Sequence, residues 1–311
     1  MLRLWLGVAV VYSSDAGKPG AEAVANALRR MRLPAAVFHY KDLDAAWGCY
    51  DAYVFVMAMG GVVRTLCKRL RDKAKDPPVV VVSHDLKYIV PLLGMHRGAN
   101  ELSQRLAEAL GGVAVVTTVA EQRGFAPLEE VERLLLCSLQ QEDKLEIYRR
   151  LIKGEEVCID AEVSERLPGY RVGSGCPVAI KLGCEGRFCC KRWKIYAGFG
   201  ATSRATAMEI AEAIKMALKE VGASGVETVA SVKEIVDEVA RILGVRGVLL
   251  RPSDLPKARC LSPPSPLAVE RLGVGNVAEA SALAAAGAGG WLIYRKRGFE
   301  RRVTVALAAN I

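Results

Sequence analysis

The chain has 311 residues, 51% of them apolar, and a formal net charge of +9 from 43 Lys/Arg against 34 Asp/Glu. That length exceeds what one small core needs and implies two or three domains. No window of about 18 uncharged apolar residues is present, which excludes a membrane-spanning helix. The N-terminus, MLRLWLGVAVVYSSDAGK, has the outline of a short signal peptide. A buried first strand followed by a Gly/Ser turn accounts for it better, so a cytoplasmic protein is expected.

The charge is uneven. Residues 191–311 hold 18 Lys/Arg against 11 Asp/Glu, a surplus of +7 that leaves +2 for the rest. A basic surface favours anionic partners: nucleic acid, acidic lipid or a polycarboxylate ligand. No basic stripe interleaved with aromatics and no nucleic-acid motif is found, which disfavours the first.

Residues 1–124 alternate strand and helix. Apolar runs at 5–12, 35–40, 53–59, 79–83 and 113–117 read as strands. Segments 21–31, 61–70 and 99–110 have helical spacing, the first with Val24, Leu28 and Met31 on one face. The alternation predicts an α/β domain with an open, mostly parallel sheet and flanking helices. Ligands of such sheets lie beyond the carboxyl ends of the strands. Gly60, Gly61, Ser83, His84, Asp85, Thr117 and Thr118 fall at or just after predicted strand ends.

Residues 125–192 differ. Pro127 opens a predicted long helix to about residue 152, with Leu128, Val131, Leu135, Leu139 and Ile147 partly in phase. Short strands and a Gly/Cys-rich run at 173–190 then suggest a small middle domain or connector. Cys176, Cys184, Cys189 and Cys190 cluster there as C-x7-C-x4-C-C, without the paired C-x-x-C ligands of a zinc or iron–sulfur site. Disulfides and buried thiols are both open readings. A hyperthermophilic host would favour disulfides, and the count of four Asn and four Gln leans toward a thermophile.

Residues 193–311 begin a second α/β domain. A strand at 194–199 leads through a turn at 200–203 to a helix at 205–221, with Thr206 and Glu209 as a capping box and Gly222 as the stop. Ser231 with Glu234 and Asn276 with Glu279 supply two further helix starts. Strands at 291–295 and 302–308 are expected to form a hairpin through Lys296-Arg297-Gly298-Phe299. Gly198-Phe199-Gly200-Ala201-Thr202-Ser203 resembles G-x-G-x-x-G superficially. Ser203 replaces the third glycine and no acidic partner follows at the right distance, so a dinucleotide site is not expected.

Several blocks in fixed order carry a resemblance. They are Ala58-Met59-Gly60-Gly61-Val62-Val63-Arg64, Leu70-Arg71-Asp72-Lys73, Asp76-Pro77-Pro78-Val79, the run 92–102, and Thr117-Thr118-Val119-Ala120-Glu121. Later come Gly198-Phe199-Gly200, Ala230-Ser231-Val232-Lys233, the run 273–283, Lys296 and the run 303–308. This pattern resembles cobalamin-biosynthesis protein G, the cobalt-precorrin-5A hydrolase family of anaerobic vitamin B12 synthesis. The resemblance is weakest between 125 and 192. The chain departs from it where Gly94-Met95 replace Ser-Gly, where one glycine is missing between His96 and Asn100, where Thr202 or Ser203 replaces Arg, and where Ala201 replaces Cys.

The resemblance implies opening of the ring-A lactone of cobalt-precorrin-5A with release of acetaldehyde. It implies an anionic tetrapyrrole substrate that carries the cobalt itself, and no further cofactor or protein metal. His96 is the leading acid/base candidate, set in a tight turn into a helix; Asn100 and Asp85 are expected to assist. Gly60, Gly61, Gly98 and Ala99 would offer backbone N–H groups, and Arg64 and Lys73 would take carboxylates. Thr117, Thr118, Thr202, Ser203, Arg204, Lys233 and Glu279 complete the expected substrate contacts, in a cleft between the two α/β domains. The alternative is a non-catalytic corrinoid carrier of the same pathway. Transient contact with neighbouring pathway enzymes, and a homodimer, fit either reading.

Overall fold

The central apolar runs near the N-terminus are buried on both faces, as strands of a helix-covered parallel sheet must be. The computed structural model describes all residues except 1–2, 72–75, 118–124, 164, 257, 259, 263–264, 266–268, 271–272, 274 and 301, and only the backbone of His96. It forms two compact units, Met1–Lys191 and Arg192–Ile311.

In the first unit, β1 (Val8–Tyr12), β2 (Ala35–His39), β3 (Ala52–Val56) and β4 (Val79–Val82) pair in parallel. With β5 (Tyr88–Leu93) and β6 (Val113–Ala114) they make a sheet ordered β2-β1-β3-β4-β5-β6. Side chains alternate between faces, so each strand feeds two cores. Val8, Val10, Val54, Val56, Val80 and Val82 face the side covered by α1 (Lys18–Arg30). Ala9, Val11, Tyr53, Phe55, Val79 and Val81 pack opposite, with Leu43 of α2 (Leu43–Ala46) and Val62 and Leu66 of α3 (Met59–Leu66). The helix α4 (Ala99–Leu110) joins the α1 side through Leu102 and Leu106.

The reversal at β5 matters most for the site. Residues 83–87 are too few for a helical crossover, which takes about a dozen residues. The chain therefore turns back, and β5 lies antiparallel to β4, with Val82 opposite Ile89 and Val79 opposite Leu93.

The single helix expected over 127–152 is two helices. They are α5 (Leu128–Leu135) and α6 (Gln141–Lys153), separated by β7 (Cys137–Ser138). Leu136 takes a left-handed conformation at φ 49°, and Cys137 enters a second sheet. That sheet adds β8 (Val157–Asp160), β9 (Tyr170–Val172), β10 (Val178–Leu182) and β11 (Cys189–Arg192), ordered β7-β11-β10-β8-β9. The parallel pairs β8/β9 and β10/β11 are joined by unusually short links, 161–169 and 183–188. Disulfides Cys137–Cys190, Cys158–Cys176 and Cys184–Cys189 staple these elements, which resolves the cysteine cluster as covalent framework. Such cross-links stabilise chiefly by restricting the unfolded chain.

In the second unit, β12 (Lys194–Ala201), α7 (Ala207–Val221), β13 (Thr228–Ser231), α8 (Val236–Leu243) and β14 (Arg246–Leu249) form a parallel half. After α9 (Val277–Ala286), the hairpin β15 (Trp291–Phe299) and β16 (Val303–Asn310) adds antiparallel strands, giving the order β14-β13-β12-β16-β15. The box of Thr206 and Glu209 forms and Gly222 ends α7, as the sequence predicts. Two expectations are corrected. Lys296–Phe299 belong to β15, and the hairpin turns later, because irregular register lets that strand run on. Ser231 is the last residue of β13 and caps no helix; its hydroxyl donates to the Phe199 carbonyl and accepts from the Lys233 N–H.

Candidate functional site

The carboxyl ends of β1, β3 and β4 meet along one edge of the first sheet. Past β3 the chain passes Met57 and Ala58 into α3, whose first turn contains Gly60 and Gly61. The helix's first internal bonds run from the Gly61 and Val62 N–H groups to the Ala58 carbonyl, so the Met59 and Gly60 N–H groups precede the hydrogen-bonded ladder. Gly60 is exposed, and among the described residues the space its missing side chain would fill reaches only Arg64 Nη1, at 3.8 Å. A guanidinium and helix-start amides thus share one open spot, a setting suited to a carboxylate.

Past β4 come Ser83, His84 and Asp85. Asp85 accepts from Ser83 Oγ at 2.5 Å and from the Lys87 N–H at 3.2 Å. The Ser83 hydroxyl first, then the Lys87 amide, hold its carboxyl below the usual range. These bonds make Asp85 the clamp of the β4–β5 turn. His84 is exposed and packs beside Gly17, where an added Cβ would lie 3.2 Å from its Cε1. Together with Met57, Ala58, Met59, Val81, Ser83, Tyr88 and Val90 it lines a cavity of about 220 Å³. His84, which the sequence places at a strand end, is given no site role there. The signal available was its place directly after an apolar strand end, on the ligand-binding edge.

His96 lies elsewhere. Because β5 runs back along β4, the His96 turn (Met95–Arg97) follows Leu93 to the opposite edge, beside the start of β4. Gly94 touches Pro78 so closely that a Cβ would meet Pro78 Cα at 2.8 Å, and Arg97 Nη1 donates to the Asp76 carbonyl at 2.6 Å. The six residues of β5 separate the edges by roughly 17 Å, taking ~3.4 Å per step. Asp85 therefore does not orient His96, and the Gly60–Arg64 spot is not shared with it.

This second edge is built as a joint. The Ala99 N–H, expected to face a ligand, donates to the Gly94 carbonyl, and Gly98 holds φ 98° to let the chain enter α4. Asn100 is 6% exposed. Nearby, Arg133 of α5 pairs with Asp51 at 2.9 Å and donates to the Arg3 carbonyl, and Asp51 accepts from the Leu6 N–H. The turn at Met95–Arg97 also contacts α5. Thr117 follows β6, which runs with β5 toward this edge. Lys73, Thr118 and the His96 side chain lie outside the described residues.

In the second unit, Thr202, Ser203 and Arg204 are exposed after β12, and Lys233 is half-buried after the neighbouring β13. They share the carboxyl edge of that sheet. The Glu209 carboxylate already occupies the start of α7; the Thr206 N–H chiefly, and Arg302 beside it, hold its pKa down. Any anion there would rely on Arg204 rather than on the helix. Glu279 is corrected as a ligand contact: it is fully buried. Its carboxylate accepts from the Ser262 N–H and hydroxyl, Asn276 Nδ2 and the Lys296 N–H, leaving it the anchor of a loop. Gly198 is likewise structural. A Cβ would fall 2.1 Å from the Ala278 carbonyl oxygen, so the glycine admits α9.

A wider concavity of about 660 Å³ beside α4 is lined by Met31, Glu101, Gln104, Arg105, Glu108 and Ala109. It pairs its own charges, Glu101 with Arg105 at 2.5 Å.

Taken together, two α/β units, the first with an open helix start beside Arg64 at the carboxyl edge of its sheet, define the class of protein. Known families agree with and narrow that class. Residues 41–121 match the family described as Cobalamin synthesis G N-terminal, and residues 195–308 match Cobalamin synthesis G C-terminus. The chain belongs to the cobalamin synthesis G family.

A protein of Methanocaldococcus jannaschii, named probable cobalt-precorrin-5A hydrolase, is 24% identical over 216 residues, 68% of this chain and 66% of its own length. The cobalt-precorrin-5A hydrolase of Salmonella typhimurium is 36% identical over 85 residues, 27% of this chain and 24% of that protein. The matched stretches thus span less than two thirds of these relatives. The solved structure of a cobalamin biosynthesis protein G homolog from Sulfolobus solfataricus superposes with a TM-score of 0.80 and 29% identity, covering 99% of this chain and 98% of that one.

Proposed function

We propose that this protein is a cobalt-precorrin-5A hydrolase acting in the cytoplasm. The observation that carries the reading is the match of both family halves, together with relatives of that name. The substrate is an anionic tetrapyrrole that brings its own cobalt.

The reaction needs water activated, negative charge stabilised and carboxylate arms held. Arg64 and the first turn of α3 suit the last task, with the backbone at Gly60 open to close approach. Arg204 and Lys233 offer further cationic contacts on the second unit. Chemically, water attacks the lactone carbonyl and its oxygen remains in the new carboxylate. The released alkoxide becomes the carbonyl of acetaldehyde as the carbon–carbon bond breaks, and the macrocycle carbon takes up a proton.

The test is anaerobic incubation of the purified protein with cobalt-precorrin-5A, trapping acetaldehyde and weighing the corrinoid. Stoichiometric acetaldehyde with a lactone-opened product is expected. Tight binding without acetaldehyde would replace this reading with the carrier.

A further inference from the structure

We propose that the cavity between β4, β5 and the start of α3 receives the lactone-bearing edge of the substrate, and that His84 is its acid–base residue. This rests on the hydrolase reading. The cavity of about 220 Å³ is too small for a whole corrinoid, since pockets that bury a drug-sized ligand span about 300–1,000 Å³. It suits one ring edge. Its lining is mostly apolar, from Met57, Ala58, Met59, Val81, Val90 and the ring of Tyr88, with His84, Ser83 and the Tyr88 hydroxyl as its polar groups. An apolar wall beside a single imidazole is an arrangement that admits a ring face and places against it one group whose ordinary pKa lies near neutral pH.

Three features set His84 in place. It follows β4 directly, on the edge where ligands of parallel sheets bind. The Ser83–Asp85 bond fixes the turn that carries it. Gly17, at φ −83° and open to any residue conformationally, leaves room for the ring; a Cβ there would lie 3.2 Å from Cε1 and 3.5 Å from Nδ1. Arg64, beside the same helix start, would hold a carboxylate arm of the ring edge in the cavity. In the balanced reaction, His84 takes a proton from the attacking water and delivers one to the ring carbon after acetaldehyde departs. No oxidant or metal is consumed.

The experiment compares wild type, His84→Ala, His96→Ala and Gly17→Ala in the acetaldehyde assay, with corrinoid binding and melting followed in parallel. His84 is exposed, so its variant should melt as wild type does. For His84→Ala we expect kcat to fall about 10²- to 10³-fold with binding changed less than about threefold, and added imidazole to restore at least about tenfold. Gly17→Ala, which displaces the ring without removing it, should lower kcat about tenfold. A His84→Ala enzyme within about twofold of wild type overturns the assignment, as does imidazole rescue confined to His96→Ala. A wild-type protein that binds the corrinoid and releases no acetaldehyde removes the hydrolase reading and this role with it.

Discussion

Two glycine-containing segments in this chain look alike as text and behave in opposite ways. Gly60-Gly61 follows β3 and starts α3; Gly198-Phe199-Gly200 lies within β12, one residue before its end. At Gly60 the missing side chain leaves a surface facing solvent and Arg64. At Gly198 the same absence is filled by protein, with the Ala278 carbonyl and the Ala282 N–H at 2.1 and 2.3 Å from where a Cβ would sit. A glycine that lets something approach the backbone does not say what approaches. One glycine leaves an open surface, the other admits a helix.

The largest effect should come from Gly198→Ala. The atoms it strikes are backbone of α9, which cannot rotate away, so overpacking should cost about 3 kcal/mol and lower the urea midpoint sharply. A variant within about 0.5 kcal/mol of wild type would break the contrast between the segments. Next is Glu279→Ala. Removing this carboxylate strands the donors of Ser262, Asn276 and Lys296 inside the second unit, at a cost of about 2–3 kcal/mol. Glu279→Gln, which keeps an acceptor, should recover part of it. A large change in corrinoid affinity with unchanged stability would instead return Glu279 to the ligand.

Much of the first sheet is legible in the sequence because its strands are buried on both faces and read as unbroken apolar runs, such as Val79–Val82. The strand Tyr88–Leu93 is not, since Pro91 interrupts its β pattern and only Ile89 and Pro91 along it are buried. That one omission misplaces the His96 turn. With β5 unread, His96 seems to follow a parallel strand and to sit with Gly60; with β5 antiparallel, it sits at the far edge against α5. The clue was the length of the 83–87 link, which permits only a reversal. The break at Leu136 was illegible for a different reason. The helical spacing is real on both sides of it, and what stops α5 is a strand pairing and a disulfide to Cys190, far along the chain. Likewise the Asn276-to-Glu279 spacing correctly marks the start of α9, while the burial of Glu279 depends on Ser262 and Lys296, which sequence spacing cannot bring together.

The sharpest use of the contrast is the smallest change in stability. Gly60 lies in the first turn of α3 with ordinary helical backbone and nothing nearer than Arg64 to meet a methyl group. By helix propensity alone, Gly60→Ala should stabilise the protein by about 0.5 kcal/mol. A site that gains stability so cheaply and still carries glycine is held for another reason, and close approach of an anion to the backbone supplies one. The variant should therefore melt slightly higher while binding the corrinoid about fivefold to tenfold more weakly, a gap read by pairing thermal unfolding with a binding titration. If affinity holds while stability rises, the two segments differ only in packing, and the ligand lies away from α3.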